Sequence, residues 1–388
     1  MNRKTQLILI SGILFCLILT ASALFVGYHI RTIWPPASEE YGLLKEAQRL
    51  LDRYYISDLP DQLSLERGMI HGMVAKLDDS YTIYLEPVEH ELQTDDLSGE
   101  YGGIGVYISR GYNLKIHLIP FQDGPAARAG VLEGDILIAI DHEVIEEDAS
   151  MELIQAMVRG PVGTTVIITL APRSEDGHSL IYEIVREAIP IPSVTGYIHP
   201  DHPDIGVIFI TLFSEKTPEE VEQTYQNLVD RGAERLVLDL RENAGGLLDS
   251  AIEVARFFLP EGLVLIEEKR GGSEEQYLVK SPGKASDIPI AVLVNQNTAS
   301  AAEVVAAALQ ENGRAPIIGA RTYGKGSVQL VLELHDGSSL HVTSSRWQTP
   351  TGLILDGRGL QPDFPVIAED GDVDIYMQAA IEWLRSDG

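Results

Sequence analysis

The sequence predicts a layered α/β core that follows an inserted β-rich domain, an N-terminal helical region and a single N-terminal transmembrane helix. Three observations support this fold class: an apolar run at the N-terminus, short glycine-flanked strands in the middle, and alternation of strands and helices after residue 191. Strand–helix alternation is typical of layered sheets that carry sites at their strand ends. The predicted boundaries are 1–30 for the membrane segment, 31–96 for the helical region, 97–190 for the β-rich domain, 191–370 for the core and 371–388 for a C-terminal helix.

The N-terminal segment predicts the compartment. Arg3 and Lys4 precede an uncharged apolar stretch over residues 6–28. About 20 apolar residues span a bilayer as a helix, and preceding positive charges favour a cytoplasmic N-terminus. Cleavage after Ala23 stays open, because residues 21–23 also fit a signal-peptide cleavage site. We therefore expect the rest of the chain on the periplasmic or outer-surface side of the cell membrane, held by a single-pass anchor, or secreted if the signal is cleaved.

Composition excludes several classes of function. The net charge of −29 argues against a nucleic-acid partner, which needs clustered Lys and Arg. Cys16 is the only cysteine, so the sequence predicts no disulfide and no cysteine-based metal site. No other pattern suggests a metal or a cofactor.

The helical region and the β-rich domain follow from periodicity. Apolar residues recur at helical spacing over residues 41–55 and 65–77. The β-rich domain has predicted strands at 106–109, 114–119, 135–141 and 164–170 and predicted helices at 125–130 and 150–159.

The glycine loop that opens the β-rich domain resembles that of a bacterial PDZ domain. Successive N–H groups in such a loop face a carboxylate, and the following strand edge pairs with an extended peptide. The residues predicted to receive a chain terminus are Gly103, Ile104, Gly105 and Val106. Leu153, Ile154 and Met157, on the helix predicted over 150–159, are expected to line its side-chain pocket.

The core contains the predicted α/β elements. Strands are expected at 206–210, 235–240, 290–295, 317–319, 328–334 and 340–346, the last two joined by a turn at Asp336-Gly337. Helices are expected at 218–231, 247–258, 300–310 and 374–384.

Ser300 lies where a predicted strand becomes a helix. The first N–H groups of a helix stabilise negative charge, and the N–H of Ala301 is well placed for an oxyanion on Ser300. Taken alone, Ser300 is more typical of an ordinary helix N-cap than of a nucleophile, and Asn297 and Thr298 compete for that N-cap role. The Thr298 hydroxyl also stays open as the reactive one.

Two other loops carry candidate groups. Gly245 and Gly246 follow a predicted strand, where paired glycines allow close backbone approach and offer a second oxyanion donor. Lys325, 25 positions after Ser300, becomes a general base only if burial lowers its pKa, and Gln329 offers an amide oxygen to hold its amine. Each signal alone is typical of an ordinary turn or a solvated loop, and only their combination is specific.

The combination resembles the carboxyl-terminal processing peptidases, or tail-specific proteases. The motifs that carry the resemblance are Leu-Arg-Glu-Asn-Ala-Gly-Gly (240–246), Thr-Ala-Ser-Ala-Ala-Glu (298–303) and Tyr-Gly-Lys-Gly-Ser-Val-Gln (323–329). The resemblance covers nearly the whole chain after the membrane segment. Ala244 replaces a proline of the family pattern, a mild departure that removes no required group.

The resemblance implies a serine endopeptidase that processes or degrades proteins at or near the C-terminus. Ser300 would be the nucleophile, Lys325 the general base and acid, and Gln329 the residue that orients the lysine. The PDZ domain would bind apolar C-termini of protein substrates and gate the site, with Arg159 as the gating candidate. An adaptor protein and a homo-oligomer formed through the terminal helices are further partners that the resemblance allows.

Two alternatives remain at the level of sequence. A catalytically silent PDZ scaffold would capture protein C-termini for a partner enzyme. A Ser-His-Asp hydrolase is disfavoured because the chain has no Gly-x-Ser-x-Gly motif and no histidine in a recognisable catalytic motif. His335 and His341 flank the predicted hairpin turn and are expected at the surface.

Overall fold

The computed structural model describes residues 41–172, 178–367 and 374–386. The predicted membrane segment at 1–30 lies outside these residues. Among the helices within the described ranges, none combines the length and the apolar character that a membrane span requires. The chain divides into two compact units, Met1–Gly68 and Met69–Gly388.

The described part of the first unit is helical. Helix α1 spans Gly42–Tyr54, which confirms the helix predicted over 41–55, and all of its residues remain at least partly exposed. Helix α2 spans Gln62–Val74, three residues earlier than predicted. Its start is fixed by Asp61, whose carboxylate accepts the N–H of Ser64 at 3.0 Å as an N-cap does.

The β-rich domain has its own hydrophobic core. Buried Ile140, Ile154 and Ile168 belong to a cluster that the strands and the longer helix of this domain enclose. Its elements are β2 (Glu100–Gly103), β3 (Val106–Arg110), β4 (Ile116–Pro120), α4 (Pro125–Ala129), β5 (Asp135–Ile140), β6 (Glu143–Val144), α5 (Met151–Val158), β7 (Thr165–Leu170), β8 (Leu180–Val185) and β9 (Glu187–Pro190). The sheet has the strand order β3-β4-β5-β7-β8, with β6 added to β5, and a separate ribbon pairs β2 with β9.

The core contains a mostly parallel sheet with helices on both faces. Its elements are β10 (Val194–His199), β11 (His202–Ile210), α6 (Thr217–Asp230), β12 (Arg235–Asp239), α7 (Leu248–Phe258), β15 (Ile290–Val294), α8 (Ala301–Glu311), β16 (Ile317–Gly319), β19 (Phe364–Pro365) and α9 (Ile375–Ser386). The strand order is β10-β11-β12-β15-β16-β19, and all pairs except β10–β11 are parallel. Successive residues of β12 point to opposite faces: Leu236 and Leu238 pack in the hydrophobic cluster with helices α6, α7 and α8, whereas Val237 packs in the cluster with α9.

A second, antiparallel sheet completes the core. Its order is β1-β18-β13-β14, and β17 pairs with the other edge of β18. The hairpin predicted through Asp336-Gly337 is confirmed, and Gly337 has the positive φ of 82° that such a turn requires. The elements are β1 (Ile83–Leu85), β13 (Leu263–Lys269), β14 (Ser273–Leu278), β17 (Ser327–Glu333) and β18 (Ser339–Gln348).

Sequence periodicity missed several elements. Strands β8, β9, β10, β13 and β14 were not predicted, and neither was helix α3 (Pro87–Ser98). Helix α3 has no continuous apolar stripe, but Glu86 and Glu89 form a capping box and Pro87 occupies the first helical turn. This capping signal was available in the sequence.

Candidate active site

Ser300 lies on a strained turn between strand β15 and helix α8. Its backbone has φ 54° and ψ −119°, a combination that non-glycine residues rarely adopt. Such a conformation costs about 1–3 kcal/mol and persists only where the surroundings impose it. The Ser300 side chain accepts the N–H of Glu303, so the residue is also the N-cap of α8. The hydroxyl proton remains available for donation.

The structure separates Ser300 from the neighbouring polar candidates. Thr298 is fully buried, and its hydroxyl donates to the Leu240 carbonyl at 2.8 Å. The Asn297 side chain donates to Glu242 at 2.7 Å. Both side chains therefore hold the loop together, and Ser300 is the hydroxyl of this loop that lines a cavity.

The paired glycines pack directly against Ser300. A Cβ on Gly245 would lie 2.8 Å from Ser300 Cβ, so a side chain there would displace the serine. The N–H of Gly245 donates to Asn243 Oδ1 at 2.8 Å, which leaves it unable to serve as an oxyanion donor without rearrangement. No described residue accepts a hydrogen bond from the N–H of Gly246 or of Ala301. Of the predicted donors, these two are available to an incoming oxyanion.

Lys325 is held in a fixed loop rather than a flexible one. Gly324, at φ 90°, leaves no room for a side chain, since a Cβ would lie 2.6 Å from Gly359 N. Gly326 N–H donates to Asp356 at 2.8 Å, and the indole N–H of Trp347 donates to the Lys325 carbonyl at 3.1 Å. The backbone is therefore fixed on both sides of the lysine.

The Lys325 amine has the environment that a general base requires. Burial lowers the pKa of Lys325, and the nearby Asp79 carboxylate partly opposes this effect. The amine donates to Gln329 Oε1 at 2.7 Å and lies 5.1 Å from the centre of the Tyr81 ring. Gln329 is fixed in turn by its own hydrogen bond to the Tyr81 carbonyl.

Glu303 joins the serine turn to the lysine loop, and sequence reasoning missed it. Its carboxylate is fully buried and accepts the N–H groups of Ser300 and Lys325, both at 2.9 Å. It also accepts the N–H of Gly324 at 2.8 Å and the Thr322 hydroxyl. The Ser-x-x-Glu spacing of a capping box was the available signal. One side chain thus sets the separation of the two candidate catalytic residues.

Glu303→Gln is expected to loosen this connection. An amide cannot accept all four hydrogen bonds, so buried N–H groups lose their partner at about 1–3 kcal/mol each. We expect a lower thermal midpoint and a fall in kcat of at least about tenfold, measured by calorimetry and peptide hydrolysis. Glu253→Gln, on the exposed side of α7, is the matched control. Unchanged kcat in Glu303→Gln would contradict the positioning role.

One cavity of about 400 Å³ contains all the candidate catalytic groups. Its lining includes the three predicted catalytic residues Ser300, Lys325 and Gln329 and the three predicted oxyanion residues Gly245, Gly246 and Ala301. Within the described residues, however, no hydrogen bond joins Lys325 Nζ to Ser300 Oγ. The resting arrangement therefore keeps the amine on Gln329.

His341 also lines this cavity, contrary to the expectation that it is a surface residue. It is only 4% exposed, because β18 lies between β17 and β1 and His341 pairs with Val331 and Ile83. A position close to a hairpin turn predicted exposure, but the pairing of β1 with the other edge of β18 buries it.

A second cavity, of about 260 Å³, lies in the β-rich domain. Ile104, Gly105 and Val106 line it as predicted for the peptide loop, whereas Gly103 ends β2 and does not. Strand β3 is the edge of its sheet, and no described residue accepts the N–H of Ile104 or Gly105. An open strand edge beside free N–H groups is the geometry that binds an extended chain terminus.

Helix α5 presents a different face to this cavity from the one predicted. Gln155, Val158 and Arg159 line it. Ile154 is fully buried in the domain core, Met157 packs against that core, and Leu153 points outward with 44% of its surface exposed. Helical spacing identified a set of apolar residues here but not which of them face the core.

Arg159 connects the β-rich domain to helix α3. Its guanidinium pairs with Asp95 at 2.9 Å and lies 4.2 Å from the centre of the Tyr101 ring. Burial raises the pKa of Asp95, and the hydrogen bond from Arg159 opposes that shift. Asp96, the next residue of α3, lines both this second cavity of the β-rich domain and the catalytic cavity. The two cavities therefore share Asp96 as a lining residue.

Comparison with known proteins agrees with this arrangement. Residues 204–366 match peptidase family S41, and residues 122–172 match a PDZ domain. A carboxyl-terminal-processing protease from Picosynechococcus sp. is 32% identical over 90% of this chain and 90% of its own length. A carboxy-terminal-processing protease from Bartonella bacilliformis is 35% identical over 79% of this chain and 71% of its own length.

Among solved structures, the photosystem II D1 C-terminal processing protease is 28% identical and covers 89% of this chain and 92% of that chain, with a TM-score of 0.49. The similarity to the Picosynechococcus protease extends over 90% of both chains. The chain therefore belongs to peptidase family S41, the carboxyl-terminal processing serine peptidases, and carries a PDZ domain.

Proposed function

We propose that this protein is a membrane-anchored, extracytoplasmic endopeptidase in which the PDZ domain recognises the substrate tail and gates a Ser300–Lys325 site. The observation that carries the proposal is the desolvated Lys325 amine in the same cavity as Ser300 and two available N–H donors. A lowered pKa increases the neutral fraction of a lysine at a given pH, and a neutral amine can accept a serine proton.

The reaction follows from these positions. Neutral Lys325 takes the Ser300 proton as Oγ attacks the substrate carbonyl, and the resulting oxyanion is held by the N–H groups of Gly246 and Ala301. The protonated amine then gives its proton to the leaving amine as the C–N bond breaks. Water, deprotonated by the same lysine, releases the acyl group and restores Ser300.

Activation requires a shift of the lysine amine. In the resting arrangement Lys325 donates to Gln329 at 2.7 Å. We expect a change in the side-chain torsions of Lys325 to move Nζ toward Ser300, since the hydrogen bond from the Lys325 N–H to Glu303 holds the loop in place. Gln329 then acts as the alternative partner that holds the amine when no substrate is bound.

Tail recognition is assigned to the cavity of about 260 Å³ in the PDZ domain, the tail cavity. A substrate C-terminus would add as a strand to the open edge of β3, with its carboxylate at the N–H groups of Ile104 and Gly105. The apolar lining from Val158 and Phe121 suits an apolar terminal side chain. The chain upstream of that terminus would then pass Asp96 toward Ser300.

The Arg159–Asp95 pair is proposed to couple the two cavities. Arg159 lines the tail cavity, and Asp95 lies on the same helix as Gln93 and Leu97 of the catalytic cavity. A tail that displaces or reorients Arg159 changes the restraint on α3. The arrangement of the catalytic cavity then depends on whether a tail occupies the tail cavity.

Arg159→Met is expected to weaken the dependence of cleavage on the substrate tail. The measurement compares kcat/KM for one peptide with a free apolar C-terminus and for the same peptide with an amidated C-terminus. We expect wild type to prefer the free tail and the variant to lose most of that preference, because the link to α3 is gone. Arg128→Met, at an exposed ion pair of the same domain, is the control. An unaltered preference in Arg159→Met would refute the coupling.

Membrane anchoring is supported by the apolar segment at residues 6–28. We expect the full-length protein in the membrane fraction of cells, and external protease to reach its catalytic part once any outer barrier is opened. Removal of residues 1–30 should release it from the membrane. Full-length protein recovered in the cytoplasmic fraction would exclude this topology.

A further inference from the structure

Strand β17 is an open edge of the antiparallel sheet beside the catalytic cavity. It pairs with β18 on one side, and no strand among the described residues pairs with its other side. Its central side chains are also accessible, since Leu330 is 55% exposed, Val331 46% and Leu332 48%. Another chain can therefore reach this edge.

The hydrogen bonds of the hairpin show which main-chain groups face the open edge. The N–H of Leu334 donates to the Ser338 carbonyl at 2.7 Å, so the main chain of Leu334 faces β18. This direction alternates from residue to residue along an antiparallel strand. The N–H and C=O of Leu332 therefore also face β18, whereas those of Val331 and Glu333 face the open edge.

A second hydrogen bond extends this alternation to Gln329. Thr343, the partner of Gln329 in β18, donates its N–H away from β17, to the Thr82 hydroxyl at 3.1 Å. Gln329 and Thr343 are therefore a pair that exchanges no main-chain hydrogen bonds, and the N–H and C=O of Gln329 face outward. Three alternate residues, Gln329, Val331 and Glu333, thus present main-chain donors and acceptors to the open edge.

The composition of this edge favours binding. Proteins commonly protect exposed strand edges with charged residues or proline, because an unprotected edge pairs with other chains. Another edge strand of the same sheet, β14, carries Glu274 and Glu275. Strand β17 has exposed apolar residues at 330–332, and Glu333 is its only charged residue. Such an edge suits an extended polypeptide.

The side chains of β17 connect its edge to the catalytic cavity. Gln329 and Val331 line that cavity, and Gln329 accepts a hydrogen bond from the Lys325 amine at 2.7 Å. A chain that adds to the edge would therefore lie beside residues of the catalytic cavity. This continuity favours the substrate as the occupant of the edge.

The hairpin also indicates which part of the substrate the edge binds. Its turn lies close to the start of α3, since a Cβ on Gly337 would be 3.7 Å from Pro87 Cβ. Asp96, which lines both the tail cavity and the catalytic cavity, lies about 14 Å farther along this helix at 1.5 Å per residue. Strand β17 therefore leads from Lys325 toward the end of α3 that is farther from the tail cavity. A substrate with its C-terminus in the tail cavity would place the segment before its scissile bond along β17.

We propose that the main-chain groups of Gln329, Val331 and Glu333 bind the substrate segment that precedes the scissile bond as an added β-strand. This inference rests on the proposed peptidase function of the same cavity. Main-chain hydrogen bonds require an N–H and a C=O but no particular side chain, so the edge would accept diverse protein substrates.

The test uses N-methylated peptides. The parent peptide has a free apolar C-terminus, and wild type cleaves it at one bond. A methyl group then replaces the amide hydrogen of one residue per peptide, on both sides of that bond but not in the scissile amide itself. Before the bond, we expect kcat/KM to fall about three- to tenfold at every second position, where the peptide loses one hydrogen bond to the edge. The intervening positions, whose N–H groups point away from β17, are the matched control and should be cleaved like the parent.

Val331→Pro tests the edge from the side of the protein. Proline removes the outward N–H of residue 331 and leaves the hydrogen bonds to β18 in place, which is the strand position that tolerates proline. We expect kcat/KM for the parent peptide to fall about three- to tenfold. Unchanged kcat/KM together with the loss of an oligomer in sedimentation would assign the edge to a second copy of the protein and overturn the proposal. If the variant does not fold, the peptide series on wild type decides the question.

The peptide series separates this proposal from the peptidase function. Equal cleavage of all the methylated peptides would reject the added strand while the peptidase function stands. An alternating loss confined to residues after the scissile bond would also reject it, since the edge would then bind the other part of the substrate. Cleavage of the parent peptide retained by Ser300→Ala would instead reject the proposed mechanism, and with it the role of the edge.

Discussion

Ser300→Ala is expected to reduce peptide hydrolysis by about 10⁴-fold or more, because removal of the nucleophile eliminates the acyl-enzyme route. The substrate is a peptide with a free apolar C-terminus, and the measurement is kcat/KM for the purified protein. Wild type should also react covalently with a fluorophosphonate, and Ser300→Ala should not. Absence of labelling in wild type would instead favour the alternative that this protein is a catalytically silent PDZ scaffold.

The Ser300→Ala fold should remain intact. The serine hydroxyl accepts the Glu303 N–H as a helix cap, and loss of such a cap costs about 1 kcal/mol. The larger contributions, the buried Glu303 carboxylate and the apolar face of α8, are unchanged. Thr298→Ser is the matched control, since it keeps the hydroxyl that bonds the Leu240 carbonyl. A similar loss of activity in that control would indicate that loop distortion, rather than loss of the nucleophile, explains the result.

Lys325→Met is expected to cause the second largest loss, on the order of 10³-fold or more in kcat, because it removes the base that takes the serine proton in the proposed reaction. Methionine keeps the apolar stem beside Tyr81, so the thermal midpoint should change little. Lys284→Met, at an exposed ion pair, is the control and should be fully active. A Lys325→Met protein with substantial activity would exclude the lysine as the base.

The pH profile tests the same lysine by an independent route. The base must be neutral, so kcat/KM should rise with pH through the lowered pKa of Lys325 and then level off. The Asp79 carboxylate raises that pKa, since it favours the charged amine. Asp79→Asn should therefore move the rising limb to lower pH, and a shift to higher pH would contradict the assignment.

Local sequence signals predicted most of the regular elements of the core. Helix α8, strand β16 and the hairpin of β17 and β18 lie within one or two residues of their predicted bounds, because apolar periodicity and turn residues are local properties. Strand β14 and helix α3 were missed. The exposed, charged sequence of β14 becomes a strand through its pairing with β13, and α3 lacks an apolar stripe.

The candidate site shows the same division. Ser300, Lys325 and Gln329 were found through motifs of adjacent residues, since each motif reflects a local turn or a helix start. Glu303 was overlooked, although its carboxylate joins the two loops, because its partners at Gly324 and Lys325 are distant in sequence. The Asn243 side chain accepts the N–H of Gly245 and so leaves only that of Gly246 available. Sequence periodicity does not predict where the Asn243 side chain lies.

By itself, then, the sequence determined the order of the elements that it identified, the two motifs that carry Ser300 and Lys325, and the presence of a glycine loop before a strand. Only the tertiary structure decided that Lys325 is desolvated and bonded to Gln329, that Asp96 of α3 lines both the tail cavity and the catalytic cavity, and that His341 is buried in the wall of the latter. The reason is physical: element type follows from residues within one or two turns of each other, whereas burial, pKa and cavity lining depend on chain segments that meet only in the folded protein.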